Sequence, residues 1–189
     1  QSRSSAASDV YKRQMLVWVA ADIGEKKGVT ISIEGEGTDL MLATREDLGS
    51  FWCGGSCEYV FTTDSKSEDT IWDIVPFQLS DTKCYKIVKA GGYSSGEKVG
   101  AKENNKWESP YGDDSARVYT DSKSGEDNCW GFEHVGGDQY KIKKILGTSA
   151  GKFIRARPTD FKEKSVAKTR RFVEASDDNT YNIWGIKNA

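Results

Sequence analysis

Apolar residues in this chain fall into short alternating segments that recur at one long period. Val29-Thr-Ile31-Ser-Ile33 alternates apolar with polar positions, as do Tyr85-Lys-Ile87-Val88 and Tyr140-Lys-Ile142-Lys143, with the isoleucines 56 and 55 residues apart. A period of two marks a half-buried strand. A second set is Leu40-Met-Leu-Ala43, Lys98-Val-Gly-Ala101 and Phe153-Ile-Arg-Ala156, whose alanines are 58 and 55 apart. The third comprises Tyr59-Val-Phe61, Arg117-Val-Tyr119 and Arg171-Phe-Val173. The fourth opens on Trp72, Trp130 and Trp184, each preceded by a polar, Asp-rich turn, at spacings of 58 and 54.

Glycine and aspartate separate the segments, as at Gly91-Gly92, Gly136-Gly137-Asp138, Gly147 and Gly151, the usual chemistry of tight connections. No long amphipathic helix is legible; Lys162 to Arg171 supplies one helical turn at most. The predicted core comprises Ile31, Leu42, Phe61, Ile87, Ile142, Phe172 and the three tryptophans.

Composition narrows the function classes. The 189 residues carry a formal net charge of −2 and a pI near 5.6. That leaves no broad basic field for a phosphate backbone and disfavours nucleic acid as a partner. No apolar run reaches the roughly 20 residues of a membrane span. Residues 1–14 lack any apolar period and read as an in-frame translation of a sequencing adapter, to be set aside in fold reasoning; contiguous genomic coding sequence would refute this. Met15 to Ala21 reads as the tail of a truncated secretory signal, with Val19 and Ala21 at small-residue cleavage positions. The competing reading of that stretch is an extra strand.

From Asp22 onward the chain is 168 residues, three times 56, expected to form a single domain. Three repeats of four strands resemble the β-trefoil, a six-stranded barrel capped by three hairpins with pseudo-threefold symmetry. The likeness covers Val29 to Ala189 and rests on repeat count, period and strand content. It implies an all-β fold, with the first and last strands neighbours in the closed barrel.

Four cysteines are present. Cys53 and Cys57, with glycines between, could close a tight loop; Cys84 and Cys129 would then pair or stay free, and three connectivities are open. A metal centre is not expected, since there is no paired CxxC and one histidine, His134. No cofactor signature and no catalytic triad or nucleophile elbow is present, so the chain reads as a non-enzyme. The turn residues Asp64, Ser65 and Asp69, with Asp121, Ser122 and Asp127, suit Asx and Ser turns, or a cation or hydroxylated ligand.

One aromatic recurs in the same long loop of each repeat: Trp52, Trp107 and Phe161, spaced 55 and 54. Tyr111, Asp113 and Asp114 share the loop of Trp107. Flat aromatic faces stack on sugar rings while carboxylates accept hydrogen bonds from hydroxyls, and variable loops on a rigid scaffold carry function. The alternative role for these aromatics is to plug the barrel end.

Trefoils host many functions. Ricin-type lectins carry Gln-x-Trp in each repeat, whereas the matching positions here are Thr70-Ile-Trp72, Asn128-Cys-Trp130 and Asn182-Ile-Trp184. The expectation is a secreted, lectin-like trefoil binding carbohydrate or glycoprotein through Trp52, Trp107, Tyr111, Asp113, Asp114 and Phe161. The alternatives are a Kunitz-like trefoil inhibitor with a protease as partner, and an actin-bundling, structural or storage module.

Overall fold

In a computed structural model, the alternating segments become thirteen strands among the described residues. They are β1 (Lys26–Ile33), β2 (Met41–Thr44), β3 (Glu58–Thr63), β4 (Trp72–Leu79), β5 (Thr82–Lys89), β6 (Lys98–Glu103) and β7 (Ala116–Asp121). The remainder are β8 (Trp130–Gly136), β9 (Gln139–Lys144), β10 (Phe153–Ala156), β11 (Phe161–Lys162), β12 (Thr169–Ser176) and β13 (Ile183–Asn188). The structure describes residues 21–34, 40–44, 58–92, 94–103, 116–156, 161–162, 169–177 and 180–189. The adapter-like residues 1–14 and nearly all of the signal-like stretch lie outside them.

Two antiparallel assemblies make up the sheet. Strands β1, β4, β5, β8, β9 and β13 pair in a closed ring, β1–β4, β4–β5, β5–β8, β8–β9, β9–β13 and β13–β1. Closure leaves the barrel no free edge. Hairpins β2–β3, β6–β7 and β10–β12 form the cap, and their second strands pair with one another as β3–β7, β7–β12 and β12–β3. This is the β-trefoil. First and last strands meet as expected, with Val29 opposite Asn188 and Ile33 opposite Trp184.

For Lys162–Arg171 the sequence allows one helical turn at most, and of that stretch only the two ends are among the described residues. Phe161 pairs with Arg170 and Lys162 with Thr169, so both ends of that stretch are strand rather than helical turn. A hairpin ladder satisfies those backbone groups where a lone helical turn would leave most of its own unpaired.

The core is built in threefold layers. Trp72, Trp130 and Trp184 are each fully buried, as are Ile31, Ile87 and Ile142. Each indole Nε1–H donates to a cap-strand carbonyl: Trp72 to Leu42 O at 2.9 Å, Trp130 to Val99 O at 2.8 Å and Trp184 to Ile154 O at 2.9 Å. Barrel and cap are thus tied three times by the same bond, which satisfies an otherwise orphaned buried N–H.

These bonds also correct the alignment of repeat one. Leu42, Val99 and Ile154 are equivalent, so Thr44, opposite Val60, stands where Ala101 and Ala156 stand opposite Val118 and Val173. The alanine match at Ala43 is one residue out of register. Because side chains alternate faces, that slip moves Phe61 off the barrel-axis face and puts Val60 there; Phe61 is nonetheless buried. The side chain of Phe172 lies outside the described residues.

Candidate functional site

The six candidate ligand residues fall on the connections of the cap hairpins. Trp52 lies between β2 and β3; Trp107, Tyr111, Asp113 and Asp114 lie between β6 and β7; Phe161 begins β11, between β10 and β12. Trp52, Trp107, Tyr111, Asp113 and Asp114 are outside the described residues, as is the side chain of Phe161. The topology gives their placement along the fold. The strand ends that carry the connections are Thr44 and Glu58, Glu103 and Ala116, and Ala156 and Thr169. All belong to the mutually paired cap hairpins.

Beneath the cap, the turns before the tryptophans do structural work. Glu68–Thr70 and Glu126–Asn128 form matching single 3-10 turns. Thr70 Oγ1 donates to Ser67 O at 2.7 Å, and Gly125 N donates to Asn128 Oδ1 at 3.2 Å. Asp69 faces Gly92, whose φ of +68° suits glycine, and a Cβ there would collide with the Asp69 carboxylate. Asp127 faces Gly147 in the same way, with a φ of +85° and 2.9 Å between a built Cβ and Oδ1. Any side chain at either glycine would displace the turn.

Two lysines at equivalent positions are buried, which the sequence pattern did not signal. Lys89 lies opposite Trp72 and Lys144 opposite Trp130, where Ile33 lies opposite Trp184. Lys89 Nζ donates to Thr44 Oγ1 and to Asp69 Oδ1, the latter at 2.9 Å. Repeat two offers Ala101 in place of Thr44 and no hydroxyl. Lys144 Nζ instead donates to the carbonyls of Glu126 and Leu146 and lies 5.3 Å from the Trp130 ring centre. The one available signal was the Ile33 equivalence, which marks the position as inward.

Burial pulls the Lys144 ammonium down to about 8 from its ordinary 10.5, against the pull of Asp127 and Glu126. An unfolded chain keeps that proton up to the ordinary lysine range. Between about pH 8 and 10.5 the unfolded state therefore binds more protons than the native state, and stability rises with pH. The slope is at most about 1.4 kcal/mol per pH unit. Above about pH 10 the buried Tyr85 and half-buried Tyr119 phenols, both shifted upward, act in the opposite sense. Urea unfolding at intervals from pH 7.5 to pH 9.5 is expected to show the rise, and Lys144→Met to flatten it. A flat wild-type profile would show that native Lys144 keeps its proton as the unfolded chain does, and would count against the downward shift.

The N-terminal approach to β1 seals the barrel end opposite the cap. Ala21 N donates to Phe132 O at 2.7 Å, and Ile23 N donates to Tyr85 Oη at 3.1 Å while Ile23 packs on the core. The Tyr85 hydroxyl donates to Asp22 Oδ1 at 2.7 Å, and this bond holds the Asp22 carboxyl below its ordinary range. Tyr85, Phe132 and Tyr140 stack edge to face at 5.4 and 6.1 Å beneath. His134 is exposed, with Nε2 2.8 Å from Gly137 O; it forms part of no catalytic grouping among the described residues.

Of the cysteines, Cys84 and Cys129 are joined in a disulfide with Cα atoms 5.5 Å apart, linking β5 to the residue before β8. Cys53 and Cys57 lie outside the described residues. Among the described residues no cluster of three or more His, Cys, Asp or Glu side chains could hold a metal ion. No helix of the described residues is long and apolar enough to cross a membrane.

No protein-family model matches the chain, and no curated protein matches it in sequence. Solved structures do match it in shape. The designed threefold-symmetric protein ThreeFoil is 18% identical with a TM-score of 0.55, over 85% of this chain and 98% of that one. A structure named BEL beta-trefoil is 11% identical with a TM-score of 0.54, over 87% and 95%. An exo-beta-1,3-galactanase from Clostridium thermocellum is 19% identical with a TM-score of 0.59, over 87% of this chain and 30% of that one. Likeness at such identities carries the fold and no more. The chain is a β-trefoil.

Proposed function

We propose that this protein is a secreted, non-enzymatic β-trefoil that binds carbohydrate through the cap-end loops carrying Trp52, Trp107, Tyr111, Asp113, Asp114 and Phe161. One observation carries the reading. The core consumes all three repeat tryptophans, each buried and bonded to a cap-strand carbonyl. Trp52, Trp107 and Phe161 then remain as the other aromatics that recur in all three repeats, each on a connection of a cap hairpin. Aromatic faces beside carboxylates suit a sugar, which presents CH and OH groups in turn. One structural neighbour is a galactanase by name, and another is an O-mannosyltransferase complex bound to its sugar donor; this chain matches 30% and 26% of those two chains. The Cys84–Cys129 disulfide fits an oxidising compartment.

A glycan array tests the reading. Wild-type protein is expected to bind at least one neutral oligosaccharide, and Trp107→Ala to weaken that binding by about tenfold without moving the unfolding midpoint. Absence of any glycan signal, or unchanged binding by Trp107→Ala, would overturn it. Stoichiometric inhibition of a protease in place of glycan binding would point to the inhibitor alternative.

A further inference from the structure

The outward face of β4, β5 and β6 carries two cations with no carboxylate partner among the described residues. Val88 lies opposite Lys98, and Lys86 precedes Val88 by two residues. Lys86 and Lys98 are therefore diagonal neighbours on one face, within reach of each other for long side chains. Lys86 lies opposite Val75, and its Nζ sits 3.7 Å from the ring centre of Phe77. Lys98 Nζ donates to the carbonyl of Ser122 at 2.9 Å. The two nearby carboxylates are engaged elsewhere. Asp73 accepts from Gly28 N at 2.8 Å and pairs with Lys27 at 3.4 Å. Asp121 lies opposite Lys98 in the ladder but turns to Asn128 and the Lys123 backbone, and burial favours its neutral form.

We propose that this face, centred on Lys86 and Lys98 over Phe77, Val75 and Val88, is a docking site for the sulfate or carboxylate groups of an acidic polysaccharide. Two adjacent ammoniums on an apolar floor complement isolated anionic groups carried on sugar rings. The charge of Lys98 acts on Lys86, whose ammonium is shifted downward by burial first and by Lys98 second; an anion between them relieves that repulsion. A polyanion as dense as nucleic acid asks for a wide basic field, which a protein of net charge −2 does not present.

The threefold relation supplies a second cluster. Positions equivalent to Lys86, Val88 and Lys98 in the last repeat are Lys141, Lys143 and Phe153. There Lys141 and Lys143 lie 5.8 and 5.3 Å from the Phe153 ring centre. In the first repeat the equivalents are Thr30, Ser32 and Met41, all buried. That second face is less cationic, because Glu133 lies opposite Lys141 in the ladder.

The site is separate from the cap-end loops, so its failure is distinguishable from failure of the lectin reading. Retention is measured on immobilised chondroitin sulfate, unsulfated dextran and duplex DNA, at low and moderate salt. Salt-sensitive retention on chondroitin sulfate alone is expected. The double variant Lys86→Gln/Lys98→Gln is expected to bind about tenfold more weakly, Lys86→Arg/Lys98→Arg to retain binding, and Lys66→Gln, an exposed control, to match wild type. Urea midpoints confirm that the variants fold. No retention of wild type, equal retention of the glutamine variant, or equal retention on DNA would overturn the proposal.

Discussion

Trp184→Ala is expected to cost about 3–5 kcal/mol of stability, the range for emptying a large buried aromatic site. Trp184 is fully buried, and its indole N–H donates to the Ile154 carbonyl at 2.9 Å. Alanine removes the packing and leaves that carbonyl without its side-chain donor. The site has little freedom to collapse, because Trp184 is locked between Ile33 on β1 and Tyr140 on β9. Phenylalanine separates the two contributions. It keeps most of the volume and loses the bond, at about 1–2 kcal/mol. Trp130→Phe should be milder than Trp72→Phe, since Val99 O also accepts from Asn128 Nδ2 at 3.3 Å. Urea denaturation of the four variants checks the order; equal losses for Trp184→Phe and Trp184→Ala would discount packing.

Removing the Cys84–Cys129 bridge is expected to cost about 4 kcal/mol, the chain-entropy value for closing a loop of this length. The cysteines are 45 residues apart, and both are buried. They join two barrel strands that share one ladder pair, Tyr85 with Trp130, where backbone pairing gives the seam little support. Cys84→Ala/Cys129→Ala leaves no unpaired thiol in the buried space. The expected result is a lower urea midpoint with strand content unchanged by circular dichroism. A midpoint within error of wild type would show that the unfolded chain already holds the two cysteines close without the bridge.

The fold was legible because the repeat left four kinds of evidence at one period. The tryptophan and isoleucine spacings alone place six of the core side chains, all fully buried. Register in repeat one was less legible. A spacing of 57 or 58 residues does not reveal which of Ala43 or Thr44 faces inward; the Trp72 bond to Leu42 does. Lys89 and Lys144 escaped because lysine is the side chain least expected inside a core, and three of their partners, Thr44, Asp69 and Glu126, lie 45, 20 and 18 residues away. The bond between Asp22 and Tyr85 spans 63 residues and leaves no local pattern. For the candidate site, loop position and residue type could be read from the chain. The arrangement of Trp52, Trp107 and Tyr111 lies outside the described residues.

The pairing of β1 with β13 has a consequence for how the chain reaches this state. Thr30 Oγ1 donates to Lys187 O across 157 residues, so the barrel cannot close until its final strand exists. At a synthesis rate of roughly 5–20 residues per second, β1 waits on the order of 10–30 seconds for that partner. Its other neighbour, β4, arrives far sooner, with Lys26 opposite Ile74 and Val29 opposite Trp72. An early β1–β4–β5 sheet can therefore shield one edge of the first strand on the ribosome. The edge reserved for β13 stays open throughout, and it is there that a nascent chain is most exposed to pairing with the wrong strand.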